Sequence, residues 1–118
     1  GIELELVALR QATGLIDVVV SNHSPAPAED KRLPFSEAAP GAIGLQTLLP
    51  ALIGLHLDND IALIDALRAV TINPAQMLGL EAGRIAEGAP ADLILVDVEA
   101  PFALREKDIL SKSKNSAF

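Results

Sequence analysis

Cysteine is absent from the 118 residues and histidine occurs only twice. The first absence excludes a disulfide framework and any thiolate metal site, and the second means that a zinc site built from this chain alone would lean on carboxylates. Basic residues are scarce as well, with 9 Lys and Arg against 16 Asp and Glu, a net charge of -7 and a pI near 4.6. That balance repels a phosphate backbone, so nucleic acid is not an expected partner. No apolar run approaches the ~20 residues of a membrane-spanning helix. The opening GIELELVALR lacks a basic head followed by an apolar stretch, so neither a span nor a signal peptide is expected; the lack of cysteine leans the expected compartment to the cytoplasm.

Half of the residues are hydrophobic, and their patterning reads as α/β. Ile2 to Thr13 has an amphipathic helical period, with Gly14 as a stop. The β-branched run Ile16 to Val20 follows, and its continuous apolarity suits a strand covered on both faces. Ser21 to Gly41 carries four Pro, mixed charges and no sustained period, so it reads as a loop longer than the ~12–15 residues beyond which loops tend to be functional or disordered. Ala42 to His56 returns to helical character, with Pro50 as a kink or as the boundary of the main helix. A second helix is expected over Ile61 to Ile72 after the turn-like Asp58, Asn59 and Asp60, any of which could cap it. Asn73-Pro74 restarts the chain as a cap followed by Pro at the first helical position, with a stop near Gly79. Leu93 to Val98 reads as a second strand, and Phe102 to Phe118 is polar and weakly patterned.

Two buried-type strands separated by a long stretch of loop and helix bury too little to stand alone. Either short strands escape the pattern, or the chain is the C-terminal part of a larger α/β protein. In α/β folds, active-site groups gather where loops leave the carboxyl ends of parallel strands. Here that junction is Ser21-Asn22-His23-Ser24. Asn22 and His23 are the candidate chemical groups, against the plainer reading of an Asx-turn and a solvated histidine. His56 reads as a cation at a helix end, and Asp58, Asp60 and Asp65 read as helix-start carboxylates. Lys31 or Arg32 could hold an anionic substrate, while Gly41 and Gly44 would permit close approach of backbone to a ligand.

Three stretches carry a resemblance: IDVVVSNHSPAPAEDK with PFSEAAPGAIGLQTLLP, then VTINPAQMLGL with GRIAEGAPADLILVD, and finally LSKSKNSAF. Together they resemble the dihydroorotases of the amidohydrolase superfamily, from about residue 16 onward. The resemblance implies a metal-dependent (β/α)8 TIM-type barrel with a small β-structure, and reversible cyclisation of carbamoyl aspartate to dihydroorotate in pyrimidine biosynthesis. On that reading residues 1–80 supply the last barrel strand and closing helices, and residues 81–118 return into the small β-structure and tail. The family's zinc ligands lie mostly upstream of this region, so no metal ligand is expected in this chain. A homo-oligomer is expected of the full-length form.

The departures from the family pattern concern chemistry. In the usual DHAPH pattern an Asp ends the last strand and shuttles a proton; Asn22 stands at that position. The first His of the pattern matches His23, and the second, which helps to bind substrate, is replaced by Ala26. Pro40 and Gly41 match the stretch whose backbone lies against the dihydroorotate ring. An amide is neither an anionic ligand nor a base, and loss of a general base typically costs ~10²–10⁴ in rate. Two readings follow: an enzyme that moves the proton another way, or a catalytically silent homologue acting as a structural partner of aspartate transcarbamoylase. In the second, the helices Ala42 to His56 and Ile61 to Ile72 would pack on partner subunits rather than within a barrel.

Overall fold

The computed structural model describes residues 14–59 and 61–117, so the helix expected over Ile2 to Thr13 and the capping role of Asp60 lie outside the described residues. The chain divides into two units: residues 1–20 with 51–100, and residues 21–50 with 101–118. We call them the helical unit and the loop unit.

Four α-helices occur among the described residues: α1 (Ala28–Lys31), α2 (Leu48–Asn59), α3 (Leu63–Arg68) and α4 (Ile72–Met77); a 3-10 turn follows at Glu106–Asp108. In α2, Pro50 sits in the first turn, where its missing N–H removes no intrahelical bond. Pro50 therefore marks a helix start, and residues 42–47 are not helical. A turn precedes α2, in which the N–H groups of Thr47 and Leu48 both donate to the Gly44 carbonyl.

Several sequence expectations are corrected in the helical unit. Asp58 and Asn59 end α2 instead of forming a turn, and α3 starts after Ala62 with no side-chain cap. The single helix expected over Ile61 to Ile72 is broken after Arg68. There Val70 and Thr71 donate back to Leu67 and Arg68 in tightened i to i-3 bonds. The Ala69 carbonyl accepts from Val19 N–H at 3.0 Å. Asn73 is not a cap either: it lies inside α4, and its Nδ2 donates to the Asp17 carbonyl at 2.8 Å. Among the described residues of this unit, Leu52, Leu55, Ile61, Ala66, Ala69 and Ala75 are the buried apolar ones.

Neither expected strand forms a ladder. Residues 16–20 and 93–98 carry no strand assignment, and the one bridge among the described residues is parallel, between Ile43 and Ser116. The physical reason is the absence of neighbours. Apolar, β-branched residues favour extended backbone, but a strand exists only when another strand takes its N–H and C=O groups. On residues 16–20 the Asp17 carbonyl and Val19 N–H, which face one edge, are taken by Asn73 and Ala69. Leu93, Ile94 and Leu95 are exposed, Leu95 fully so at 103%.

Candidate functional site

The four residues singled out by sequence, Asn22, His23, Pro40 and Gly41, all fall in the loop unit. Asn22 has φ 45, the left-handed conformation that Asn and Asp adopt more readily than other side chains. It is exposed, and its side chain makes no hydrogen bond among the described residues, so it forms no Asx-turn. The amide is left open at the point where the chain turns out of its extended run.

His23 is half-buried, and its Nδ1 accepts from Gly44 N–H at 3.1 Å and more weakly from Leu45 N–H at 3.4 Å. A ring nitrogen that accepts carries no proton, so in the neutral ring the hydrogen is on Nε2. His23 is thus a fixed N–H donor rather than a solvated loop residue. It lines a cavity of about 410 Å³ together with Gly44, Thr47, Leu104 and Leu110.

Gly41 has φ 89, and a Cβ added there would meet the Ser24 side chain at 2.7 Å. Glycine is required by both conformation and space, and the close approach sets the Pro40-Gly41 stretch beside His23-Ser24. Ser24 N–H donates to the Ala42 carbonyl at 2.9 Å across the same junction. Pro40 itself is exposed. Gly44 is tighter still, since a Cβ there would lie 2.6 Å from the Ser21 carbonyl oxygen.

The polar tail supplies what holds these loops. In residues 111–115, Ser111, Ser113 and Asn115 are half-buried while Lys112 and Lys114 are exposed, the period-2 alternation of an extended segment. Asn115 Nδ2 donates to the carbonyls of Ser24 (3.1 Å) and Gly41 (3.2 Å), and its Oδ1 accepts from Ala26 N–H at 3.5 Å and from the Ser113 hydroxyl. Ser113 Oγ also contacts the Ala26 carbonyl at 2.6 Å. Gln46 makes a similar pairing, with Nε2 donating to the Asp108 carbonyl at 2.8 Å and Oε1 accepting from Leu110 N–H at 3.0 Å. Sequence reasoning missed Gln46, Ser113 and Asn115 as organisers; the alternation in SKSKN was the available signal.

Lys31, considered for an anionic substrate, donates from Nζ to the carbonyls of Ala39 (2.7 Å) and Gly41 (3.0 Å) and so closes the loop. With Arg32, Lys112 and Lys114 it lines a cleft of about 800 Å³ beside Ala26. In the helical unit, His56 Nδ1 donates to the Ile61 carbonyl at 2.6 Å, which ties the last turn of α2 to Ile61. The helix runs on to Asn59, so His56 lies in its last turn rather than at its end.

The donor set does not fit a metal. Asn22 offers a neutral amide oxygen, the His23 lone pair on Nδ1 is engaged by backbone amides, and no group of three His, Cys, Asp or Glu forms among the described residues. Nor is any described helix long and apolar enough to cross a membrane.

Residues 14–117 match the model of the amidohydrolase family. Three similar proteins are dihydroorotases. That of Wolbachia sp. subsp. Drosophila simulans is 39% identical over 106 residues, covering 90% of this chain and 24% of the relative. That of Aquifex aeolicus is 38% identical over 103 residues, covering 87% and 24%. That of Clostridium acetobutylicum is 35% identical over 114 residues, covering 96% and 26%. The chain therefore spans about a quarter of the length of these relatives. The family fold is of the TIM-barrel type. By the extent of the family match and these identities, the chain belongs to the amidohydrolase family, as a dihydroorotase-like member.

Proposed function

We propose that this chain supplies a substrate-facing part of a dihydroorotase-like cyclic amidohydrolase, with dihydroorotate and carbamoyl aspartate as the substrate pair. Residues 1–80 would contribute the last barrel strand and closing helices, and residues 81–118 the return into a small β-structure. The observation that carries the reading is the His23 ring, held through Nδ1 by the backbone amides of Gly44 and Leu45 so that Nε2 keeps its hydrogen. An N–H donor held in one orientation suits a substrate that presents carboxylate and amide-carbonyl oxygens, because either can accept from it. The missing side chain at Gly41 lets Ser24 close against it, which sets the Pro40-Gly41 backbone beside His23-Ser24.

In the hydrolytic direction, hydroxide adds to the ring amide carbon, the C–N bond breaks, and the departing nitrogen takes up a proton. Asn22 cannot carry that proton, since an amide has no basic site near neutral pH. The zinc that the resemblance implies finds no matching donor set among the described residues, so no step is routed through it.

A second reading is favoured by Asn22 and Ala26 together: a silent homologue that supports aspartate transcarbamoylase as a structural partner. The full-length polypeptide, expected to be a homo-oligomer, separates the two. Dihydroorotate hydrolysis is measured for the unmodified protein and for the double variant Asn22→Asp/Ala26→His. The left-handed backbone at residue 22 admits Asp as readily as Asn, and Ala26 lines the 800 Å³ cleft, which has room for an imidazole. Activity in the unmodified protein supports the enzyme. Activity only in the double variant, raised by ~10²-fold or more, supports the silent homologue. No activity and no dihydroorotate binding in either protein overturns the substrate assignment.

A further inference from the structure

In the loop unit the Asn115 side chain joins three stretches: residues 24–26, Gly41 and its own tail. Both halves of the Asn115 amide are used. Nδ2 donates to the carbonyls of Ser24 and Gly41, while Oδ1 accepts from Ala26 N–H and the Ser113 hydroxyl. Two carbonyl acceptors on one side fix which end of the amide carries the hydrogens. The backbone takes part as well, since the Asn115 carbonyl accepts from Ile43 N–H at 3.0 Å. Residues 24, 26, 41 and 43 thus converge on one residue more than seventy positions away in sequence.

From this convergence we infer that Asn115 is a positioning residue for the substrate site, holding the His23-Ser24 wall and the Pro40-Gly41 wall at a fixed separation. The inference rests on the proposed function, because it takes those two walls to face substrate. Asn115 acts through its neighbours. Among the described residues, the one backbone bond between the two stretches is Ser24 N–H to the Ala42 carbonyl. Without the amide, the Ser24 and Gly41 carbonyls lose their shared donor and turn toward water. His23 takes its orientation from Gly44 N–H, three residues past Gly41, so it moves with that wall. Errors of about 1 Å in such a site cost up to ~10²-fold in rate.

The isosteric substitution Asn115→Asp is the discriminating variant. It keeps size and the Oδ1 acceptor, but it replaces the two donated hydrogens with an anionic oxygen facing two carbonyl oxygens. A space-filling role would tolerate it, whereas a positioning role would not. In the full-length polypeptide we expect Asn115→Ala to lower kcat/KM for dihydroorotate at least ~10-fold, and Asn115→Asp to lower it as much or more. Lys107→Ala, on the exposed 3-10 turn, should stay within about twofold of the unmodified protein.

A readout independent of turnover is the 15N spectrum of the His23 ring at fixed pH. It should show a single Nε2–H tautomer in the unmodified protein and a mixture of tautomers in both Asn115 variants. Ser113→Ala removes only the hydroxyl that contacts Asn115 Oδ1 and the Ala26 carbonyl. It should lower kcat/KM a few-fold with partial mixing, and it decides the matter if the Asn115 variants fail to fold. Unchanged kcat/KM with an unchanged tautomer in Asn115→Asp, or in Ser113→Ala, overturns the inference. If the unmodified protein neither binds nor hydrolyses dihydroorotate, the functional reading fails by itself, and the tautomer pattern still decides whether Asn115 sets the geometry of His23.

Discussion

The helical unit and the loop unit are stabilised by different means. In the helical unit six apolar side chains are buried among the described residues, from Leu52 to Ala75, and order arises from helices that close their own hydrogen bonds. Among the described residues the loop unit buries only Ile43, Thr47 and Ile109, and its order comes from Lys31, Gln46, Ser113 and Asn115 bonding to distant backbone. Charge divides in the same way. The loop unit carries six of the nine basic residues (Lys31, Arg32, Arg105, Lys107, Lys112 and Lys114) but five of the 16 acidic ones, so its net charge is +1 and that of the helical unit is -8. The difference teaches where substitutions will be felt. Apolar burial responds to lost volume, while a polar web responds to the loss of single donors or acceptors.

The largest effect should come from Leu52→Ala, at a side chain only 2% exposed in α2. Deleting its buried methyl groups should cost about 2–5 kcal/mol, read as a lower midpoint of thermal or urea unfolding. A smaller loss should follow Gly44→Ala, because the added Cβ meets the Ser21 carbonyl, and backbone cannot step aside as a flexible side chain can. About 1–3 kcal/mol is expected, seen as faster hydrogen exchange at Ser24 and Ile43. If Leu52→Ala speeds exchange at those same amides equally, the two units are one cooperative body and the comparison breaks.

Gln46→Ala sharpens it from the other side. This substitution removes one donor and one acceptor that together pair residues 108 and 110. At ~0.5–1.5 kcal/mol per bond, the loss should be about 1–3 kcal/mol, with exchange accelerated at Leu110 and unchanged in α3 and α4.

Legibility in the sequence followed the same division. The helical character of residues 48–56 was readable because it is written in local apolar spacing, and Pro50 correctly marked a boundary. The break after Arg68 was not readable, because the Ala69 carbonyl is taken by Val19, a partner fifty residues earlier in the chain. Asn73 looked like a cap for the same reason: its actual partner, the Asp17 carbonyl, is nonlocal. In the loop unit, Asn22 and His23 were legible from their place where an extended run gives way to a long loop, and Gly41 from its lack of a side chain; the roles proposed for them rest on motif resemblance, and periodicity said nothing about them. The tail of residues 102–118 was read as weakly patterned, yet it holds the loops together, because a Ser or Asn that bonds to backbone leaves no hydrophobic signature.

The smallest expected effect tests the two extended runs. Leu95 is fully exposed, and residues 93–98 have no ladder partner among the described residues. In the 118-residue chain, Leu95→Lys should therefore change stability by less than about 0.5 kcal/mol. It should also reduce self-association, because a charge on an open apolar edge discourages pairing with another chain. In the full-length polypeptide the same substitution should cost several-fold more, since there residues 93–98 would pair with other strands of the small β-structure. Equal, negligible effects in both contexts would mean that this apolar run is never covered and would remove residues 81–118 from the proposed β-structure. A large effect confined to the longer chain would identify the missing ladder as the reason that a strand-forming sequence runs here without one.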